Sequence, residues 1–368
     1  MKLSVRESIC LDLIRAIASQ VVVIGHGISF MGIFKFLHEP NFPWMQNMAV
    51  VVFFVLSGFV ITYSTRIKSA DPQYSFFDFF TDRASRIFSA YIVAMFIVFA
   101  IDSLSIYLDS DKYTYYHAFN ISTFFANFVM LQDYPLFGIS YLKEFQHTSF
   151  GSARIFWTIS IEWWIYMFFG VLFFSLIKKE KVNVPMALVF LISSVVAFGY
   201  AYGLRGGHLT IYWMFGMLWM IYYQRVKKIL NGLMINLIFL LFSLVVCIVI
   251  QLNVINGYNF VFAVFLSVSI ICFVNLGNYF SIERFHSVIT LIASYSFTLY
   301  LIHYSVIDFI FRHIEVDNKY IQFIFAVLIC NVLAYIISRY SEIILRKNFK
   351  NVMYKMRSVF KHRSLSKN

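Results

Sequence analysis

The chain has 368 residues, of which 60% are hydrophobic, 20% aromatic and only 13% charged, and its mean hydropathy is +0.74. That balance excludes an ordinary soluble domain, and the long unbroken apolar runs exclude an outer-membrane barrel, whose strands would alternate over about ten residues. The formal net charge of +12 is gathered in particular loops and at the C-terminal end, a pattern of membrane orientation rather than nucleic-acid binding. An all-α polytopic membrane protein is therefore expected, with a lipid bilayer and no nucleic acid as its surroundings.

Ten spans are predicted, at 9–34, 46–65, 86–108, 154–177, 184–203, 209–224, 231–252, 258–277, 287–311 and 320–344. Residues 1–345 read as one transmembrane domain and 346–368 as a basic cytoplasmic tail. The short basic lead before the first run has no small-residue cleavage site behind it, so that run is expected to stay as a helix.

The first span carries Asp12, Arg15 and His26 in an otherwise apolar stretch. Ionisable groups are costly in such a run and usually face a protein interior or a wet cavity. Arg15 and His26 lie about three turns apart and Asp12 about one turn before Arg15, so all three point to one side of a helix. A local Asp12–Arg15 pair, with His26 bonded to a neighbouring helix, satisfies the same spacing.

The second span contains Phe53-Phe54-Val-Leu-Ser57-Gly58-Phe59. Its small Ser-Gly pair suits close helix packing. Arg83 and Arg86 follow in an aromatic lead into the third span, on one helical face. Two adjacent guanidinium forks serve phosphate recognition, and equally a cytoplasmic anchor. Segment 117–131 is apolar but too short to span, so it is placed with the polar stretch 132–151 outside, as an interfacial or re-entrant piece.

The fourth span opens Phe156-Trp157-Thr158-Ile-Ser160-Ile-Glu162-Trp163-Trp164-Ile-Tyr166. Its tryptophans make an interfacial belt, and Glu162 shares a face with Thr158 and Tyr166. Glu162 and His26 are predicted at similar depth, where a carboxylate and an imidazole suit acid–base work or a structural bridge. The ninth span carries Ser294-Tyr-Ser296-Phe297-Thr298-Leu-Tyr300-Leu-Ile-His303, with Tyr300 and His303 one turn apart. A satisfied core histidine fits that position as well as a functional one. The four cysteines all fall in apolar runs with no metal spacing, so buried thiols and no metal are expected.

These stretches together resemble the acyltransferase-3 family of bacterial integral-membrane O-acyltransferases. The family's Arg-x₁₀-His is similar to Arg15 and His26, its Phe-Phe-x-x-Ser-Gly-Phe to Phe53–Phe59, and its Arg-x-x-Arg to Arg83 and Arg86. Its Trp-Ser-Leu-Ser-x-Glu resembles Trp157 to Glu162, with Tyr166 at the following tyrosine, and its late Ser-Tyr-Ser-x-Tyr-Leu-x-His resembles the stretch ending at Tyr300 and His303. The chain departs from the family at Ser89 and Ser305, where proline is frequent, at Phe297, and at Trp163–Trp164.

The resemblance implies transfer of an acyl group, usually acetyl from acetyl-CoA, to a sugar hydroxyl of a surface polysaccharide such as O-antigen, capsule or exopolysaccharide. Acyl-CoA would then be a donor substrate, with no permanently bound cofactor and a free or lipid-linked glycan as acceptor. It implies His26 and Glu162 as catalytic groups, Arg15, Arg83 and Arg86 on the donor, and Asp12, Ser57, Trp157, Ser160, Tyr166, Tyr300 and His303 around them. A secondary transporter or flippase would also need intramembrane charges, but the paired halves common in transporters are not evident in the sequence.

With the N-terminus inside, cytoplasmic segments hold 21 Lys and Arg residues and external segments 7. That bias predicts both termini in the cytoplasm of a bacterial inner-membrane protein. Alkaline phosphatase fused after Lys367 should therefore be inactive in intact cells, whereas a fluorescent protein at the same site should mature; an active phosphatase would invert the topology.

Overall fold

A computed structural model describes residues 2–254 and 256–365. Among these, the structure is helical with no strand, and nine helical segments are long and apolar enough to cross a membrane. The chain is a polytopic membrane protein.

Helix α1 (Val5–Met31) starts ahead of its apolar run because Ser4 and Glu7 form a capping box. The Ser4 hydroxyl accepts the Glu7 N–H at 3.2 Å, and the Glu7 carboxylate accepts the Ser4 N–H at 2.7 Å. Gly32 ends the helix at φ +63°, a left-handed cap that a side chain would strain. Helix α2 (Met45–Lys68) matches the second predicted span.

Helix α3 (Phe76–Leu108) begins at a second capping box, Ser75 with Asp78, well before the predicted start at 86. Its 33 residues extend roughly 50 Å at ~1.5 Å per residue, longer than a hydrocarbon core of ~30 Å. Arg83 and Arg86 thus belong to the helix itself. The segment predicted as interfacial forms α4 (Ile121–Phe128), whose eight residues extend only about 12 Å, flanked by 3₁₀ turns.

The remaining helices are α5 (Phe156–Leu172), α6 (Val184–Tyr202), α7 (Leu209–Ile229), α8 (Leu233–Val254), α9 (Phe260–Leu276), α10 (His286–His313) and α11 (Lys319–Ser338). Helix α7 was predicted as a span and is a helix, but it is not among the nine apolar ones. Its Tyr and Trp residues and its basic last turns lower its mean hydropathy. After α11 a π-turn (Arg339–Leu345) leads directly into α12 (Arg346–Leu365), so the residues expected as a basic tail continue the last spanning helix.

Side-chain contacts show successive spanning helices running in alternate directions. At one end, Glu7 of α1 meets Lys227 of α7 at 2.6 Å, the Leu3 N–H donates to the Tyr63 hydroxyl of α2 at 3.0 Å, and Lys350 of α12 meets Asp82 of α3 at 2.6 Å. At the other end, His313 of α10 bonds Ser105 of α3 at 2.6 Å, and Arg205 meets Asp133 at 2.8 Å. Helix α1 packs against α2, α9, α10 and α11, while α8 packs on α9 and leaves most of its apolar surface outward.

Helices α2 and α7 approach one another closely. A Cβ on Gly58 would collide with the Trp213 carbonyl, and one on Gly216 with the Val55 carbonyl. Such backbone proximity is what small residues permit between membrane helices. Gly216→Leu should therefore separate α2 from α7 at a cost of ~1–3 kcal/mol or more. Detergent-solubilised variant protein should melt at lower temperature or elute as aggregate. Gly138→Ala, where an added Cβ meets nothing within 4 Å, should behave as the parent does.

Candidate active site

A cavity of about 410 Å³ opens near the N-terminal end of α1 and runs inward among α1, α2, α3, α5 and α10. That volume lies in the ordinary range for a small-molecule site. Its outer part holds four arginines, Arg15, Arg83, Arg86 and Arg346, with Leu3, Tyr63 and Ser64 nearby. The deeper wall carries Ser57, Glu162, Tyr166, Thr158 and Tyr300. Five different helices and the start of α12 thus bring cations and hydroxyls to one space.

The charges in the cavity are unevenly matched. Arg15 donates to Asp12 at 2.6 Å, as the spacing predicted. Arg86 faces Glu342 of the π-turn at 3.6 Å. Glu342 is itself held in place, accepting the Thr298 hydroxyl at 2.7 Å and the Thr298 N–H at 3.2 Å. Among the described residues, Arg83 and Arg346 have no carboxylate within ion-pair reach. The Nε atoms of Arg15 and Arg83 are buried without a hydrogen-bond acceptor. A half-buried cluster of this kind is costly unless an anion completes it.

Glu162 is lodged among hydroxyls. The Tyr166 hydroxyl, one turn along α5, donates to its carboxylate. Tyr166 also bonds Ser57 at 2.6 Å, and the Trp213 indole N–H donates to Ser57 at 3.1 Å. The Ser57–Gly58 pair therefore has two functions: Ser57 joins this network, and Gly58 lets α7 approach. At the cavity's deep end Thr158 and Tyr300 share a hydrogen bond of 2.7 Å.

His26 has different neighbours from those its predicted pairing with Glu162 required. Its ring centroid lies 5.2 Å from that of His303 and 5.0 Å from that of Tyr304, edge-on to the latter. No hydrogen bond or ion pair joins His26 to Glu162 among the described residues. His303 lies at 2.8 Å from the Tyr300 carbonyl through Nδ1, and its Nε2 is buried without a partner. A carbonyl can only accept, so Nδ1 is the protonated nitrogen and Nε2 carries the lone pair. Tyr300 links the two parts of the site: it lines the cavity, and its ring centroid is 5.9 Å from that of His303.

Two residues of the resembling motifs lie elsewhere. Ser160 donates to the carbonyls of Met130 and Gln132 at 2.9 and 3.2 Å, and neighbouring Trp164 donates to Met130 at 2.7 Å. These bonds seat the 110–155 loop on α5. Trp157 lies under the Arg205 guanidinium, 4.3 Å from its ring centroid, at the end of the bundle away from the arginine cluster. Both positions organise the loop rather than line the cavity.

Sequence spacing missed Arg346, Glu342, Trp213 and Tyr304. The signal for the first two was present: Glu342 and Arg346 are an i,i+4 acid–base pair at the end of an apolar run. Trp213 and Tyr304 had no such mark, because each is an aromatic residue within an aromatic-rich helix.

Comparison of the sequence with known proteins assigns the chain to a family. The chain is 26% identical over 193 residues to an O-acetyl transferase of Shigella phage Sf6, covering 52% of this chain and 53% of that protein. It is 26% identical over 209 residues to a putative O-acetyltransferase of Staphylococcus aureus (strain COL), covering 55% of this chain and 31% of that one. The chain thus spans about half of the phage relative and about a third of the staphylococcal one. No solved structure matches it. The family model described as an acyltransferase domain matches residues 8–339, which include every cavity-lining arginine except Arg346. By that match the chain belongs to the acyltransferase-3 family.

Proposed function

We propose that the chain is a bacterial inner-membrane O-acyltransferase that moves an acyl group, acetyl above all, from acyl-CoA to a sugar hydroxyl of a surface polysaccharide. The observation that carries this reading is the cavity itself, with under-compensated guanidinium groups at its mouth and paired histidines just beyond its deep end. The names of the relatives favour acetyl as the group transferred.

In this reading the arginine end faces the cytoplasm, where acyl-CoA is made. Arg83 and Arg86, with Arg15, take the donor's phosphates as bidentate forks. The pantetheine arm then follows the wall of Ser57, Glu162 and Tyr166 towards Tyr300. Glu162 holds the Tyr166 and Ser57 hydroxyls in fixed orientation along that wall. The thioester is presented beside the His26–His303 pair, and the acceptor approaches from the opposite end of the bundle.

The transfer needs one base. His26 takes the proton of the sugar hydroxyl as its oxygen attacks the thioester carbonyl carbon. The carbonyl–sulfur bond then breaks, and the departing CoA sulfur takes the proton back from the imidazolium. The ester stays on the sugar and CoA leaves as the thiol. His303, with its Nδ1 proton committed to a helix carbonyl, presents a lone pair towards its surroundings and helps set the orientation of His26.

Two measurements test this. His26→Ala should lower acyl transfer by ~10²–10⁴-fold, the usual loss of a general base, with membrane abundance close to that of the parent. His26→Gln should be nearly as inactive; substantial activity in that variant would leave His26 a positioning role only. Replacing Arg83 and Arg86 together by alanine should raise the donor's KM about tenfold or more while kcat falls less, because phosphate contacts are mostly uniform binding. A double lysine variant should recover only part of this, since lysine has no planar fork. Unchanged donor kinetics in the double alanine variant would remove both arginines from the site.

A further inference from the structure

The reading above uses three arginines, yet the cavity has a fourth. Arg346 lines the same mouth as Arg83 and Arg86, but it comes from the other end of the chain and lies beyond the residues that match the family. It is half-buried and has no carboxylate within ion-pair reach among the described residues.

Its placement depends on the π-turn. The spanning helix α11 presents its sides to lipid, to α1 and to α10, and an uninterrupted α-helix would keep the same facing through its next turns. The π-turn Arg339–Leu345 widens the helix and shifts the angular register of everything after it. Such turns recur at functional sites. The turn is pinned by Glu342, which accepts both the hydroxyl and the N–H of Thr298 and faces Arg86. Beyond it, α12 is fastened to α3 by two further ion pairs. Lys350 meets Asp82 at 2.6 Å, where Lys68 also binds, and Arg357 meets Asp78 at 3.0 Å. The helix carrying Arg346 is therefore held from both sides, while the Arg346 guanidinium itself has no ion-pair partner among the described residues.

We propose that Arg346 is a further donor-binding residue, a fourth cation that the π-turn and the docked C-terminal helix bring to the phosphate groups of the acyl donor. The proposal rests on the function proposed above, because it requires a phosphate-bearing donor in this cavity. It adds to that function a contribution from outside the family-matched region. Selectivity for CoA over phosphate-free thioesters then depends partly on the C-terminal helix.

The test is binding of CoA to the purified full-length chain in detergent, read by calorimetry or by ligand-induced thermal shift, with pantetheine as the phosphate-free control. No acceptor is needed. Arg346→Ala should weaken CoA binding about tenfold, the value of one charge-assisted contact, and leave pantetheine binding unchanged. Without ligand its melting temperature should equal the parent's or exceed it, since no ion pair is lost. Arg346→Gln, which keeps most of the bulk, should show the same loss, and Arg346→Lys a smaller one; Gln decides the question should the alanine variant fold poorly. Arg83→Ala is measured alongside. If Arg83→Ala weakens CoA binding and the Arg346 variants do not, the proposal for Arg346 falls while the donor site stands. If neither substitution matters, the donor site falls too, and this proposal with it.

Discussion

Four guanidinium groups face one cavity inside an apolar bundle, and much of the surrounding structure serves to hold them there. A charge taken from water into such a setting loses several kcal/mol of solvation, which a well-placed carboxylate offsets only in part. Here Asp12 and Glu342 each serve one arginine. Asp78 and Asp82 serve the cations that fasten the helices around the cavity rather than the cavity itself. The carboxylates are divided between tethering helices and tempering the site, and the site is left short of negative charge. A pocket short in this way selects an anion before any shape complementarity acts.

The deeper half of the site has a different character. Hydroxyls replace cations, and the hydrogen bonds among Ser57, Tyr166, Thr158, Tyr300 and Trp213 are short and mutually satisfied. Satisfied networks are rigid, and a rigid wall suits the positioning of a reactive group more than the capture of a charge. The histidines stand behind Tyr300, packed with Tyr304, away from the guanidinium cluster. That separation matters because a neighbouring cation would disfavour a proton on imidazole.

Much of this was legible in the sequence, and what was not has a common cause. Hydrophobic runs located nine spanning helices, and one-turn spacing placed Asp12 on Arg15, Arg83 beside Arg86, and Tyr166 on Glu162. Spacing fixes which residues share a face within one helix; it does not say which helix that face meets. His26 was accordingly given Glu162 as a partner when its face meets α10. Ser160 and Trp157 belong to a recognisable motif but point to the loop, not the cavity. Helix α7 was located as well, although its tyrosines and tryptophans lower its hydropathy. The early start of α3 and the π-turn ahead of α12 were not foreseen because a capping box and a π-turn are local hydrogen-bond events that leave no mark on an apolar average.

The contact between α2 and α7 bears on how the chain is built. Gly58 and Gly216 belong to segments that leave the ribosome far apart in time, with α3, α5 and α6 emerging between them. Until α7 enters the bilayer, Ser57 lacks the indole that bonds it, and one side of α2 has only lipid or insertion machinery to lie against. The late arrival of α10 and α11 likewise withholds His303 and Tyr300 from a first helix already in place. Chain order alone therefore requires that Arg15, Arg83 and Arg86 are synthesised before the pocket they line can close. A substitution at Gly58 or Gly216 then acts on the assembly of the bundle as well as on its finished packing, because the close contact of α2 with α7 forms only after the intervening helices have been made.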